Sequence, residues 1–332
     1  MAATISSNER RATPLAAPLS ARREAFLRNP PPTRDAAVLR ISGLPAGLDV
    51  YNATPPFPWR GGRALFGRVE PHDRWASSWT ALFAETEPDA FVLVPEFRWL
   101  EIEDPFLAVF GDEWILGGTR VKKAAGEVCG FRCDFFRGSG PLDLAYFASG
   151  PDDMKDLRLA PLPDGRAGLF TRPRGPEVVA RYGSESVVGW TVLPSPNAIG
   201  PDVAERAEVV PDLFGPGEWG GCNQCIPLPD GRIGIAAHFS HEGEVASNGK
   251  AMQHYCNAAF VFDPATGRAT PPRLIATRAT YGGEIVPKEP HLADCAFTSG
   301  LVRRPDGLWD LYSGLCDSAE GRVTLLFDPF AP

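Results

Sequence analysis

Carboxylate and amide side chains recur in this 332-residue sequence at similar positions, a few residues before a tight turn. The four side chains are Asn52, Asp104, Asp156 and Asn223, and Asp317 adds a carboxylate near the end of the chain. Carboxylates and carboxamides bind hydroxyl groups, which both donate and accept hydrogen bonds. This pattern predicts a site for a polyhydroxyl ligand such as a sugar.

Basic side chains recur on the other side of the same turns, namely Arg68, Arg120, Arg172 and His238. Arginine binds phosphate oxygens through its planar fork of N–H donors. A set of cations beside hydroxyl-binding groups therefore favours a sugar next to a phosphate. Each residue taken singly could equally be a solvated charge at a strand end or part of an ion pair between neighbouring sheets.

A recurring hairpin positions these side chains. A short apolar strand, a Gly-containing turn and a second apolar strand occur at residues 106–116, 157–170, 224–237 and 300–312, with a weaker copy around Gly61-Gly62. Asp-Gly and Gly-Gly between apolar strands predict hairpins, because such turns need positive φ angles.

The spacing of the hairpins indicates the architecture. Their turns fall near residues 62, 112, 164, 230 and 306, with gaps of 50, 52, 66 and 76 residues. Such periods are typical of the blades of a β-propeller. We therefore predict an all-β protein with five blades. A β-sandwich with many hairpins is the alternative, although it needs no regular period.

Composition excludes several classes of protein. A net charge of -8 argues against nucleic acid as the main partner. No run of 18 apolar residues is present, so no membrane contact is predicted. Seven cysteines without an apolar signal segment are typical of reduced thiols and predict a cytoplasmic protein. The oligomeric state stays open.

The chain divides into two parts of different amino-acid composition. Residues 1–34 are polar and rich in Pro and Arg, which predicts a mobile leader. Residues 35–332 have the short apolar runs and turns of a single propeller domain. The catalytic groups are all expected in this second part.

The tripeptide Glu103-Asp104-Pro105 could supply an acid. Neighbouring residues on a strand point to opposite faces of the sheet, so only one of the two carboxylates is expected to face the axis. A carboxylic acid in a site that excludes water can act as a general acid. Strand-edge or turn chemistry is the alternative for this tripeptide.

Two metal-like patterns are weak. Cys222 and Cys225 have the spacing of a zinc knuckle, but no second pair of cysteines matches them. His238 and His241 should point to opposite faces of a strand. No metal is predicted, and no Gly-rich phosphate loop is present.

Several blocks resemble known enzymes in their order along the chain. Glu103-Asp104-Pro105, Met154-Lys155-Asp156, Thr171-Arg172-Pro173 and Tyr312–Asp317 resemble blocks of glycoside hydrolase family 130, the β-mannoside phosphorylases. Residues 67–71, 75–78, 150–156 and 218–221 resemble more closely the mannosyltransferase–phosphorylases of Leishmania and bacteria, glycosyltransferase family 108, formerly a domain of unknown function. The resemblance extends from about residue 52 to 330.

This resemblance implies a five-bladed propeller and an inverting reaction on β-1,2-linked mannose. Phosphate would attack the anomeric carbon of a β-1,2-mannan (mannogen-type) oligosaccharide and release α-mannose 1-phosphate. The reverse reaction would transfer mannose from mannose 1-phosphate or GDP-mannose to mannose or mannan. No cofactor is implied, and inorganic phosphate is a co-substrate.

The resemblance also implies roles for individual residues. Asp104 would be the catalytic acid and base. The mannose-binding residues would be Asn52, Arg68, Asp156, Asn223 and Asp317, and the phosphate-binding residues would be Arg120, Lys155, Arg172 and His238.

Some features depart from the family 130 pattern. Phe106 follows the Glu-Asp-Pro block where that family has arginine, and Thr171 replaces a histidine. No motif for nucleotide recognition is present. A furanosidase-like hydrolase, with Asp156 or Glu218 as a second catalytic carboxylate, is one alternative. A sugar-binding propeller without catalysis is another, because a fold does not fix a function.

Overall fold

The computed structural model describes residues 17–203 and 206–331. It begins with helix α1 (Leu19–Arg28) and strand β1 (Thr33–Val38). The remaining strands, together with β1, form five separate sheets, one for each predicted hairpin. The predicted five-bladed β-propeller is confirmed.

Blade 1 contains a divided innermost strand. Its strands are β2 (Arg40–Ser42), β3 (Leu48–Tyr51), β4 (Phe57–Trp59), β5 (Gly62–Pro71), β6 (Trp79–Glu87) and β7 (Ala90–Leu93). Both β3 and β4 pair with β5, so they form one strand that is interrupted at residues 52–56. The edge strand β2 runs parallel to β7.

Blades 2 and 3 follow the same meander. Blade 2 contains β8 (Glu103–Phe110), β9 (Glu113–Ala124), β10 (Glu127–Gly138) and β11 (Ala145–Asp152). Blade 3 contains β12 (Arg158–Pro161), β13 (Ala167–Thr171), helix α2 (Pro176–Tyr182), β14 (Gly189–Leu193) and β15 (Glu208–Val209). Neither helix is long and apolar enough to cross a bilayer, and the described residues contain no other α-helix.

Blades 4 and 5 complete the ring. Blade 4 contains β16 (Glu218–Pro227), β17 (Ile233–Val245), β18 (Ala251–Asp263), β19 (Arg268–Ala269) and β20 (Arg273–Thr277). Blade 5 contains β21 (Ala296–Arg303), β22 (Trp309–Leu315) and β23 (Ala319–Leu325), with β1 as its outermost strand. Short 3-10 helices lie at Pro196–Ala198, Arg278–Tyr281 and Pro290–Leu292.

The predicted turns join the first two strands of each sheet. Each turn contains a glycine with φ between 62° and 84°, namely Gly61, Gly111, Gly165, Gly231 and Gly307. Side chains other than Asn or Asp rarely adopt this conformation, which is why glycine recurs there.

The core lies between neighbouring blades. Phe170 and Trp190 of blade 3 pack on Phe262 of blade 4, with ring centroids 5.1 and 4.7 Å from it. Because each sheet is covered on both faces, its strands are apolar over continuous stretches rather than at alternate residues. Burial of one such aromatic side chain stabilises the fold by about 1.5–3 kcal/mol. These packed sheets hold the innermost strands around the axis.

The predicted mobile leader needs a correction. Its residues 1–16 lie outside the described part of the chain, but residues 17–34 pack on the propeller. Leu19 and Phe26 are buried on one face of α1, and the Leu19 N–H donates to Glu218 Oε1 of blade 4 at 2.6 Å. The 3.6-residue period of a helix brings both apolar side chains to the same face, although the surrounding sequence is polar.

Candidate active site at one end of the propeller axis

A cavity of about 340 Å³ is lined by residues from all five blades. Eight of the ten predicted site residues line it: Asn52, Arg68, Asp104, Lys155, Asp156, Arg172, His238 and Asp317. The structure therefore brings together side chains that are up to 265 positions apart in the sequence, from 52 to 317. We call this space the axial cavity.

A repeated backbone conformation explains why Asn and Asp recur here. The φ angles lie between 48° and 62° at Asn52, Asp104, Asp156 and Asp317. Asn and Asp adopt this left-handed conformation more readily than most other residues. It occurs where strands are interrupted or turn, and it directs these side chains into the axial cavity.

Asp104 is held by two donors. Asn52 Nδ2 donates to Asp104 Oδ1 at 2.8 Å, and Arg68 Nη1 donates to the same oxygen at 3.0 Å. The aspartate is only 4% exposed. Its carboxylate is thus fixed in a nearly dry environment, as a general acid or base requires.

Glu103 also faces the axial cavity, contrary to the expectation that only one carboxylate of the pair would do so. The register of β8 on β9 skips between Glu103 and Phe106, and Asp104 has a φ of 51°. The strict alternation of side chains is lost at such a bulge. Burial raises the pKa of Glu103 to about 7; Arg68 acts to lower it, and the charge of Asp104 adds to the rise.

Arg68 is itself held from behind. Residues 68 and 70 share a face of β5, and Arg68 Nη2 lies 3.2 Å from Glu70 Oε1. Lys288 Nζ lies 3.0 Å from Glu70 Oε2, and the Tyr51 hydroxyl donates to Glu70. Burial acts to raise the pKa of Glu70, but Arg68, Tyr51 and Ser78 outweigh it and lower the pKa to about 2.

Asp317 completes this side of the cavity. Burial raises its pKa to about 6, with Arg68 acting to lower it and Asp104 to raise it. We call Glu103, Asp104 and Asp317, which come from blades 2 and 5, the carboxylate wall. Lys288, which supports this wall, comes from the loop between blades 4 and 5, where no repeated pattern could reveal it.

Blades 3 and 4 supply a second side, the basic wall, formed by Lys155, Arg172 and His238. Arg172 Nη1 donates to Asp156, and Arg172 Nε donates to the Gly220 carbonyl oxygen at 2.6 Å. Although burial acts to raise it, Arg172 and Lys155 hold the pKa of Asp156 below its usual range. Lys155 forms no ion pair with any residue that the structure describes.

His238 is neutral in this environment. Burial and then Arg172 lower its pKa well below the usual value. Its Nδ1 lies 2.8 Å from Asn223 Oδ1, so Asn223 stands behind the cavity lining and orients the ring. The other ring nitrogen remains available to a ligand. His241 lies away from the axial cavity beside His254, with ring centroids 4.8 Å apart, as the strand alternation predicted.

Arg120 does not reach the axial cavity, which corrects its predicted place there. On β9, Thr119 is paired with Glu103 of β8, and the next residue, Arg120, is paired with Arg132 of β10. A step of one residue on a strand turns a side chain to the opposite face of the sheet. Arg120 Nη1 instead binds Glu101 at 2.8 Å, and Arg120 Nε binds Asp134.

A second cavity of about 560 Å³ opens from the first and shares Trp75, Glu103, Lys155, Arg172, Gln253 and Tyr255 with it. Trp75, Phe131, Trp219 and Tyr255 line this outer cleft, together with Arg174. Trp219 Nε1 donates to the Tyr255 hydroxyl at 3.1 Å, and Trp75 is 63% exposed. Aromatic faces of this kind can pack on apolar faces of sugar rings.

A larger groove of about 700 Å³ lies beside α1 and is lined mainly by apolar side chains such as Val188 and Phe214. It lacks the convergent charged groups of the axial cavity, so chemistry rather than size identifies the site. In residues 17–203 and 206–331, no group of three or more His, Cys, Asp or Glu is arranged to hold a metal ion.

The fold matches known proteins closely. A mannose phosphorylase from Leishmania mexicana, solved with a phosphate ion, is 36% identical over 94% of this chain and 97% of its own, with a TM-score of 0.84. A GDP-Man-dependent mannosyltransferase from the same organism is also 36% identical, over 94% of both chains, with a TM-score of 0.84. This chain belongs to their family.

Residues 26–332 of this chain also match a family model whose description is "Protein of unknown function (DUF1861)". No curated protein sequence matches this chain. A more distant structure comes from the GH130 family of mannoside phosphorylases, a family reported to contain glycoside hydrolases that target β-1,2 mannosidic linkages in Candida mannan. It is 14% identical to this chain, covers 86% of this chain and 85% of its own, and has a TM-score of 0.56. That likeness shows a shared fold.

Proposed function

We propose that this protein is a mannosyl phosphorylase and transferase that moves mannose between phosphate and a mannose-containing acceptor with inversion at the anomeric carbon. One observation carries the proposal. The fixed carboxylate of Asp104 and the unpaired ammonium group of Lys155 line the same buried cavity. The activities of the two Leishmania relatives support this class of reaction.

The carboxylate wall supplies proton transfer. In phosphorolysis, Asp104 donates a proton to the glycosidic oxygen while the bond from that oxygen to the anomeric carbon breaks. In synthesis, the same carboxylate accepts the proton of the attacking hydroxyl group. Asn52 and Arg68 fix the position of Asp104 for both directions.

The basic wall holds the nucleophile. Lys155 and Arg172 offer charged donors to phosphate oxygens, and His238 offers one neutral ring nitrogen. These groups also offset the repulsion between phosphate and the carboxylate wall. Phosphate takes the place of the second carboxylate with which an inverting hydrolase activates water.

The two carboxylates that the sequence offered as the second catalytic group of a hydrolase, Asp156 and Glu218, do not suit that role. Asp156 is bound by Arg172, and its lowered pKa makes it a poor base. Glu218 does not line the axial cavity; it accepts the N–H groups of Leu19 and Gly215 at 2.6 and 2.8 Å. Transfer to phosphate is therefore better supported than hydrolysis.

The resemblance suggests the substrates, and the lining of the two cavities is compatible with them. We assign β-1,2-linked mannan oligosaccharides as the glycosyl donor in phosphorolysis, and mannose 1-phosphate or GDP-mannose as the donor in synthesis. Asp317 and Asn52 are placed to bind mannose hydroxyl groups. The outer cleft, with Trp75 and Trp219, offers space for further sugar units of the chain.

Product analysis tests this function. The purified protein is incubated with β-1,2-mannobiose or a short β-1,2-mannan, with and without inorganic phosphate. Phosphate-dependent release of α-mannose 1-phosphate, lost in Asp104→Asn, is the expected result. Free mannose formed without phosphate would identify a hydrolase instead. Sugar binding without turnover, unchanged in Asp104→Asn, would identify a binding protein.

A further inference from the structure

Two neighbouring carboxylates share one guanidinium group in the axial cavity. Arg68 Nη1 lies 3.0 Å from Asp104 Oδ1, and Arg68 Nη2 lies 3.0 Å from Glu103 Oε2. Both carboxylates line the cavity and are almost fully buried. The same backbone bulge that turns Asp104 toward the cavity thus brings the second carboxylate to the same guanidinium group.

The charges around this pair do not balance. Glu103 faces Arg68 and Ser78 of blade 1, Asp104 of its own blade and Lys155 of blade 3, with Glu70 behind Arg68. Three carboxylates, Glu70, Glu103 and Asp104, contact the single guanidinium group of Arg68, and of these only Glu70 contacts a second cation, Lys288. A buried excess of negative charge is relieved when one carboxylate takes up a proton.

We propose that Glu103 and Asp104 share one proton. The charge of Glu103 then sets the pH range in which Asp104 can act as an acid. This inference rests on the proposed function and extends it to a residue that acts through Asp104. The rise of the pKa of Glu103 to about 7 agrees with a shared proton at neutral pH. Such a pair titrates as a unit rather than as two independent groups.

The proton balance of the reaction gives the pair its use. During phosphorolysis the glycosidic bond breaks, the leaving oxygen takes a proton from Asp104, and a bond forms between the anomeric carbon and a phosphate oxygen. Hydrogen phosphate loses its own proton when it becomes the dianion of mannose 1-phosphate. That proton returns to the Glu103–Asp104 pair, so the pair regains its starting state and no other reactant is needed.

Removal of the charge at position 103 should change the pH dependence in a defined direction. An ionised Glu103 repels a second negative charge beside it, so Glu103→Gln should make it easier for the pair to lose its last proton. The acid form needed for phosphorolysis should then be lost at a lower pH. The falling limb of kcat for phosphorolysis should move to lower pH by about one unit or more, and the rising limb for synthesis should move with it.

Three variants make the test specific. Glu103→Asp keeps the charge and should keep both limbs of the wild-type pH profile. Glu103→Met is a second neutral variant, used if Glu103→Gln does not fold. Glu101→Gln removes an exposed carboxylate that binds Arg120 at 2.8 Å, two residues from Glu103, and should leave the profile unchanged. Thermal melting checks the fold of each variant.

A substrate that needs no acid separates proton delivery from structural damage. 2,4-Dinitrophenyl β-mannoside has a leaving group that departs without a proton, so its phosphorolysis should be nearly equal in wild type and Glu103→Gln at pH 8. Unchanged limbs in the neutral variants, or equal losses on both substrates, would overturn the inference while the proposed function stands. Absence of phosphate-dependent turnover in the wild type would overturn both.

Discussion

The two sides of the axial cavity differ in how the groups proposed for the chemistry, Asp104 and Lys155, are held. On the carboxylate wall, Asp104 and Glu103 both contact Arg68, which is held from behind by Glu70. On the basic wall, Lys155 lacks a counter-ion in the described structure. A paired wall is rigid before any ligand binds, and an unpaired cation is ready to receive an anion.

This difference predicts which side of the cavity should tolerate substitutions without loss of stability. Loss of a group from the paired wall leaves partners buried without their counter-charge, which costs several kcal/mol. Loss of the unpaired cation should weaken ligand binding without a comparable structural cost. The first two of the four predictions below test that contrast, the other two test the outer cleft and the support behind the carboxylate wall, and the expected effects decrease in order.

The largest effect is expected for Asp104→Asn. The amide keeps the size of the side chain but can neither donate nor accept the transferred proton. We expect kcat with β-1,2-mannobiose and phosphate to fall by about 10³-fold or more. Binding of phosphate, measured by calorimetry, should be nearly unchanged, and a comparable loss of phosphate binding would contradict the separation of the two walls.

A smaller effect is expected for Lys155→Met, which removes the unpaired cation. A charge-assisted hydrogen bond contributes about 1.5–3 kcal/mol, so the KM for phosphate should rise by about 10- to 100-fold. Lys250→Met is the matched control, because the Lys250 ammonium group lines the same cavity but lies 2.7 Å from Glu289. Equal effects of the two variants would remove the special role of Lys155.

The outer cleft should matter only for longer substrates. Trp219→Ala removes an aromatic face, which contributes about 0.5–1.5 kcal/mol. We expect the KM for a mannan of four or more units to rise by about 3- to 10-fold, with little change for the disaccharide. Trp219→Phe should retain most of the affinity for the chain. Equal losses for both lengths would place Trp219 in the structure of the axial cavity instead.

The smallest effect concerns a buried glutamate behind the carboxylate wall. Glu320 Oε2 accepts the Ala53 N–H at 3.1 Å, and burial raises the pKa of Glu320 to about 8. A raised pKa in the folded state gives stability below the unfolded value that is lost as the pH rises through the folded value. The wild type should therefore lose stability between about pH 5 and pH 9.

Glu320→Gln should lose this part of the pH dependence. Its Tm at pH 9 should exceed that of the wild type by about 2–4 °C, with no gain at pH 5. Glu87→Gln is the control, since Glu87 is exposed and lies 3.2 Å from Arg40. A gain of the same size at both pH values would contradict the role of the Glu320 proton.

The propeller and most of the site could be predicted because they repeat. Glycine turns recur at one place in every blade, and Asn or Asp recurs where the innermost strand is interrupted. Each local requirement for positive φ selects the same few residue types, so the pattern is visible in the sequence. Asn52, Asp104 and Asp156 lie in the axial cavity for this reason.

The misplaced residues show the limit of that reasoning. The predicted place of Arg120 in the cavity was wrong by one residue of strand register, because neighbouring residues on a strand face opposite sides of the sheet. Strict alternation predicted that only one of Glu103 and Asp104 would face the axis, and the bulge at Asp104 removes that alternation. Lys288 comes from a loop outside the repeat, and only the closed ring brings it to Glu70.

The strand pairing of blade 5 also sets the order in which the molecule can be completed. Strand β1 pairs with β23, so residues 33–38 wait for residues 319–325. During synthesis, β1 must therefore stay unpaired until β23 has emerged from the ribosome. Contacts between such distant segments slow folding and expose strand edges. A chain that ends before β23 would therefore form an open ring with unpaired strand edges and a strong tendency to aggregate.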